Sequence, residues 1–276
     1  MAIDYRPRSV PRILDGALAL YRANLKPVAL ASLALLFPAG LVSGLGQVLL
    51  QRGIVQTTTG APSLSSLGIV LLSEAVLYAG IVVAVLAQTW LASALLYLAP
   101  GLAAGRVVTA REVLAAGRHR FWTVLGISIV SSIVAGTLVG IPVAVFWAIA
   151  PAAAVVEGIP LDRGLSRSWR ILRRVGFWRT ALLFFGVYVV TVGIEYAILA
   201  PGAIAQLAVT AANPEALVTG QLLPIAAIQG LLTALSAALA APFTSLATYF
   251  YYTDSRSRAE GMDLVMRAAE LGAAHS

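Results

Sequence analysis

The sequence predicts an all-α polytopic integral membrane protein, with six transmembrane helices in three hairpins and amphipathic interfacial helices on the cytoplasmic side. Three observations predict it. Of 276 residues, 59% are hydrophobic and only 11% charged, with a mean hydropathy of +0.88. A soluble domain carries about 25% charged residues, and water does not solvate so apolar a surface. Long runs nearly free of charge alternate with short basic segments, and the longer runs exceed the roughly 30 Å of a hydrocarbon core. The basic residues also segregate: residues 1–27 hold five Lys/Arg, 101–120 hold four, 157–179 hold six and 252–276 hold three. Eighteen of nineteen then share one side of a six-span topology, leaving Arg52 opposite, and the positive-inside rule places those eighteen in the cytoplasm. One membrane domain over 1–276 is expected.

Composition also excludes function classes. A net charge of +7 and a pI near 10.1 would suggest nucleic-acid binding in a soluble protein. Here the basic residues lie between apolar runs, so they read as orientation signals, and no nucleic-acid partner is expected. Lys26 is the only lysine; the arginine excess fits phosphate preference, although a GC-rich genome is the simpler cause. With no cysteine, disulfides, thiolate metal sites and thiol nucleophiles are excluded. His119 and His275 are the only histidines. No metal, no cofactor and no enzymatic activity are therefore expected.

In chain order, residues 1–8 are polar and basic and do not resemble a cleaved signal peptide, so the chain is expected to keep its N-terminus. Ser9 to Lys26 reads as an interfacial helix ended by Pro27. Val10, Ile13, Leu14, Ala17, Leu18, Tyr21 and Leu25 lie on its apolar face, and Arg12, Asp15, Arg22 and Lys26 on the other. The first span, 28–50, rises about 34 Å. Its Pro38, Gly40, Gly44 and Gly46 predict a kink and close helix contacts. A polar loop, Gln51 to Ser66, follows. The second span, 67–99, lies in an apolar run of about 51 Å, too long for one upright crossing and too short for two, so it is read as one tilted helix. Thr109-Ala-Arg-Glu112 matches a capping box and opens a short helix in the basic loop 106–120.

Phe121 to Val156 would be about 54 Å long as one helix. Read as spans 121–140 and 142–156, with the turn at Gly140-Ile-Pro142, it keeps all the basic segments on one side. The fifth span, 178–200, contains Glu195. Asn213-Pro214 suggests a turn in the outer segment. The sixth, 222–250, is broken by Pro224 and Pro242 and ends in the aromatic belt Tyr249-Phe-Tyr-Tyr252. The tail, 254–276, leads into a short helix with Arg256–Glu260 and Asp263–Arg267 pairs, worth a few tenths of a kcal/mol each. Phe121-Trp122 and Phe177-Trp178 each follow a basic helix and open a span. That weak repeat is explained as well by interface chemistry as by duplication.

The most charged stretch is 157–179. At 100° per residue Arg163, Arg167, Arg170 and Arg174 share one face, while Leu161, Leu165, Trp169, Leu172 and Val175 gather opposite. Such a helix is expected to lie flat at the membrane, its apolar face in the acyl boundary and its arginines among phosphates. The competing reading is that the stripe only fixes topology. Glu195 is the best-placed intramembrane carboxylate and Glu74 lies nearer the outer boundary. Each is a candidate site weighed against plain interfacial solvation. Asp162 reads as a helix cap, and Trp122, Trp169 and Trp178 as interface anchors.

Three stretches together resemble one bacterial family. They are Ser9 to Arg22; Glu157-Gly158 with Ser166-Arg-Ser-Trp-Arg-Ile-Leu172 and Phe177-Trp178; and Tyr252-Thr-Asp-Ser-Arg-Ser-Arg-Ala-Glu-Gly-Met-Asp-Leu264. They are similar to the glycerophosphoryl diester phosphodiesterase membrane-domain family. The resemblance implies a helical module of the bacterial inner membrane. It does not imply hydrolysis: in fused members that activity belongs to a separate barrel with carboxylates, histidines and a divalent metal, for which this chain has no room.

The expected function is a non-catalytic membrane module. It would organise or regulate a membrane or cytoplasmic protein partner, or engage anionic membrane lipids, through its cytoplasmic face. The alternative is a small transporter or permease for a lipid or small solute, which requires a polar cavity near the midplane faced by Glu195.

Overall fold

The computed structural model describes residues 8–59, 64–137, 140–213, 215–216 and 222–261. Every regular element among them is helical: α1 (Val10–Ala23), α2 (Leu25–Thr59), α3 (Leu64–Ala103), α4 (Ala110–Ala116), α5 (Phe121–Ala135), α6 (Gly140–Trp147), α7 (Ala150–Val156), α8 (Leu161–Val175), α9 (Phe177–Ala212) and α10 (Leu223–Glu260). Four of these contain stretches long and apolar enough to cross a membrane: Leu25–Gly53, Gly68–Ala103, Phe177–Ala212 and Ala227–Glu260. The all-helical membrane class therefore stands on α2, α3, α9 and α10. Phe121–Ala135 and Gly140–Val156 are apolar but shorter.

The long helices run further than the sequence pattern predicts. The first break falls at Asn24, and Pro27 sits in the first turn of α2, where its missing N–H has no helical partner to lose. Helix α2 continues through the expected loop to Thr59, and α3 passes through Pro100 to Ala103. Pro242 does not break α10, which carries the expected tail on as helix to Glu260. In apolar surroundings a helix satisfies nearly every backbone group, so one absent N–H does not end it. The pair Asp263–Arg267 and residue His275 lie outside the described residues, as does Pro214. At that last turn, Asn213 Oδ1 accepts the Glu215 backbone N–H at 3.1 Å.

The described residues form two compact units. One draws on Ala29–Gln88 and Thr191–Ala241. Within it α2 and α3 run antiparallel, with Ser43 against Gly80, Gly46 against Leu77 and Gly53 against Val70. Small residues also bring α2 against α10: a Cβ at Gly40 would fall on the Ala234 methyl, and one at Gly44 would lie 3.4 Å from the Gly230 Cα. This is the close backbone approach that membrane helices use when water gives them no hydrophobic drive to associate.

The other unit draws on Met1–Val28, Thr89–Val190 and Pro242–Ser276. Helix α5 packs against α6 and α7. The α6–α7 break at 148–149 has a local cause in Pro151, which cannot donate to residue 147 and whose ring clashes with that carbonyl. The Phe146 carbonyl near the break accepts from Ser168 Oγ at 2.7 Å. The chain then turns at Gly158, whose φ of +69° favours glycine, and Arg120 donates to the Gly158 carbonyl. This tight corner folds α8 back, and Leu161 and Leu165 pack on Ile127, Ala150 and Ala154. The apolar side of α8 is thus covered by protein in part: Ile171 and Leu172 are fully buried, Leu161, Leu165 and Val175 half-buried, and Trp169 is 37% exposed.

Candidate functional site

The four arginines on one face of α8 are not equivalent. Arg163 and Arg170 are exposed. Arg174, also exposed, donates to the Ala259 carbonyl at 2.9 Å. Arg167 is largely covered and grips Glu157 with two nitrogens, Nη2 to Oε1 at 2.9 Å and Nε to Oε2 at 3.1 Å. It also pairs with Glu260 on α10.

Glu157 is the centre of this cluster. Besides Arg167 it accepts a 2.6 Å hydrogen bond from the Tyr252 hydroxyl and lies 3.8 Å from Arg256. Arg256 in turn pairs with Glu260 at 2.8 Å, the expected i,i+4 contact. Partial burial pushes the Glu157 carboxyl up, but hydrogen bonds from Arg167 and Tyr252 and the charges of Arg167 and Arg256 outweigh it. The carboxyl is held below the usual range. The bond to Glu157, against the opposing effect of burial, raises Arg167. Two carboxylates and two guanidiniums balance, so this site is a closed ionic clasp.

A second clasp is centred on Asp254, between Tyr252 and Arg256 on α10. Asp254 is 5% exposed. It accepts from the Arg8 backbone N–H at 2.6 Å, Arg179 at 2.9 Å and Arg258 at 2.9 Å. Arg179 and Arg258 also donate to the Arg8 carbonyl, and the Arg8 guanidinium lies 5.4 Å from the centre of the Phe250 ring. Beside it the buried hydroxyls of Thr180 and Tyr251 are 2.8 Å apart. Together the clasps fasten the end of α10 to α8, α9 and the segment before α1.

No family model, curated protein or solved structure matches this chain.

Asp162 is an exposed residue of the first turn of α8, with Pro160 at the cap position. It complements the helix dipole rather than capping the helix, because no side-chain oxygen occupies that position. Thr109 does form the expected box: its Oγ1 accepts from the Glu112 N–H at 3.2 Å and Glu112 accepts from the Thr109 N–H at 2.8 Å. Trp122 and Trp178 are 77% and 82% exposed, and each meets its preceding phenylalanine edge-on at about 5 Å. Trp169 instead packs on Phe146 at 4.7 Å. Glu195 is half-buried on α9 and Glu74 is exposed on α3. No cluster of three or more His, Cys, Asp or Glu suited to a metal occurs among the described residues.

Two clefts stand out. One, of about 180 Å³ in the unit built on Ala29–Gln88 and Thr191–Ala241, is lined by Gln47, Gln51, Gln206 and Gln229 with Leu50, Leu222 and Ile225. The other, of about 670 Å³, lies in the other unit between α1, the end of α3 and Phe250. Glu195 and Glu74 line neither. Sequence reasoning missed Glu157, Tyr252 and Asp254 as functional groups. Their only signal was position: each polar residue sits where an apolar run meets a basic one.

Proposed function

We propose that the chain is a non-catalytic membrane module whose basic surface engages anionic lipid headgroups and positions a partner protein at the cytoplasmic face. One observation carries this reading. Helix α8 rests Leu161 and Leu165 on α5 and α7 and leaves Arg163 and Arg170 exposed, so these two cations face away from the fold. Arg111, Arg118 and Arg173 are exposed in the same unit, and Trp122 and Trp178 stand ready as interface anchors. Cations of this kind near an anionic leaflet contribute about 1 kcal/mol each.

In this reading the N- and C-termini are cytoplasmic in an inner membrane, and six crossings form three hairpins. The α5 and α6–α7 pair is the short one: 15 residues rise about 22 Å. As a hairpin the pair returns the chain to its starting side, so the basic segments share one face. The absence of cysteine and the scarcity of histidine support a role without catalysis. The resemblance to the phosphodiesterase membrane domains points the same way.

The alternative, a permease for a small polar solute, is favoured by the four glutamines around one small cleft. Amides on apolar helices are costly unless something polar meets them. Analysis of what copurifies with the full chain separates the two readings. Enrichment of anionic lipid over the bulk membrane supports the module. Bulk lipid composition with a stoichiometric polar solute, lost in Gln229→Leu, supports transport and contradicts the module.

A further inference from the structure

The larger cleft has a composition that the α8 surface lacks. Arg8, Arg12 and Arg106 line it, and none of its described lining residues is a carboxylate. Arg106 donates to Glu112 at 3.0 Å while 57% exposed, which uses one of five guanidinium donors. The remaining walls are small or apolar: Gly16, Ala19, Leu20 and Ala23 from α1, Leu102 and Val107 at the end of α3, and Phe250. Val107 is 84% exposed beside Arg106, an apolar side chain offered where the cations are.

Three guanidiniums border one cavity, and a phosphate oxygen is an acceptor that their planar donors match well. The cavity of about 670 Å³ is in the range of sites that enclose a whole small molecule. A bare phosphate would leave most of the apolar wall unfilled. We infer that this cleft is a discrete site for one anionic phospholipid, the phosphate held by Arg8, Arg12 and Arg106 and the proximal acyl chain lying on Leu20, Leu102 and Val107. The inference rests on the reading of the chain as a lipid-engaging module and narrows it. Arg163 and Arg170 meet headgroups in a shared, exchanging layer, whereas the cleft holds a single molecule. A soluble phosphate monoester shares the headgroup chemistry but lacks the chain.

The test is native mass spectrometry of the full chain released from nanodiscs of equal phosphatidylglycerol and phosphatidylcholine, with washing in detergent. One phosphatidylglycerol per chain is expected to survive. Arg12→Gln with Arg106→Gln lowers its retention at least tenfold, and Ala19→Trp, which fills the cleft without altering charge, does the same. Arg163→Gln with Arg170→Gln leaves that single lipid in place. Glycerol phosphate added at millimolar concentration fails to displace it if the chain contributes, whereas displacement with direct binding of the monoester assigns the site to a soluble ligand and overturns the lipid assignment. Wild-type retention in both the charge and the filling variants overturns the cleft itself. Loss of retention only in the α8 variant overturns the cleft while sustaining the broader reading.

Discussion

Tyr252 donates its hydroxyl hydrogen to Glu157 over 2.6 Å, joining residues 95 positions apart. Glu157 is thereby fixed from two helices, since Arg167 reaches it from α8. Replacing Glu157 by Ala leaves the Tyr252 hydroxyl and one side of Arg167 without their acceptor. The expected loss is about 2 kcal/mol, because Glu260 still neutralises Arg167. Thermal melts of the detergent-purified chain report it, and Tyr252→Phe is expected to cost about half as much.

The same carboxyl gives the protein an acid limit. Its native pKa lies below the ordinary value of 4.5, so the native state favours the ionised form more than the unfolded chain does. Its stabilising contribution is complete above about pH 4.5 and is lost as pH falls through the lower native value. Melting temperature measured from pH 6 downward should fall in that window. Glu157→Gln should flatten this part of the decline, and an identical profile in that variant would remove Glu157 as its source.

Asp254 is the more costly residue to lose. It is nearly inaccessible and holds Arg179, Arg258 and the Arg8 backbone at once. Asp254→Ala leaves Arg179 and Arg258 uncompensated and the Arg8 N–H without its acceptor, at an expected cost of about 2–3 kcal/mol because both guanidiniums keep some access to solvent. Limited proteolysis should then cut near Arg8 or near Glu260 first, since those segments lose their anchor.

Glycines in the spans differ in a way that a single pair of variants exposes. A side chain at Gly40 would collide with Ala234, whereas nothing lies within 4 Å of a Cβ at Gly193. Gly40→Leu is expected to prevent recovery of a monodisperse protein in mild detergent. Gly193→Ala should be neutral or stabilising by about 0.5–1 kcal/mol, as expected for alanine in a helix interior.

The class of the fold was legible because apolar composition, run length and basic punctuation are written in every segment. Helix ends were less so. Pro27, Pro100 and Pro242 read as breaks because proline is a strong breaker in water, yet apolar surroundings keep α3 and α10 continuous through theirs. The arginine stripe was visible as a pattern. The separation of Arg167 from Arg163 and Arg170 was not, because it depends on Glu157 and Glu260 arriving from other helices. Likewise the burial of the apolar side of α8 depends on the tight corner at Gly158, which periodicity alone cannot reveal.

The central claim is that the exposed cations of α8 meet anionic headgroups. The most direct measurement is the ratio of phosphatidylglycerol to phosphatidylcholine retained around the full chain in mixed nanodiscs, taken at low and at high salt. The account predicts a salt-sensitive excess of phosphatidylglycerol that falls at least twofold in Arg163→Gln with Arg170→Gln while the fold and melting temperature are unchanged. A ratio equal to that of the bulk lipid in the wild-type protein, or an excess untouched by the double variant, would contradict it.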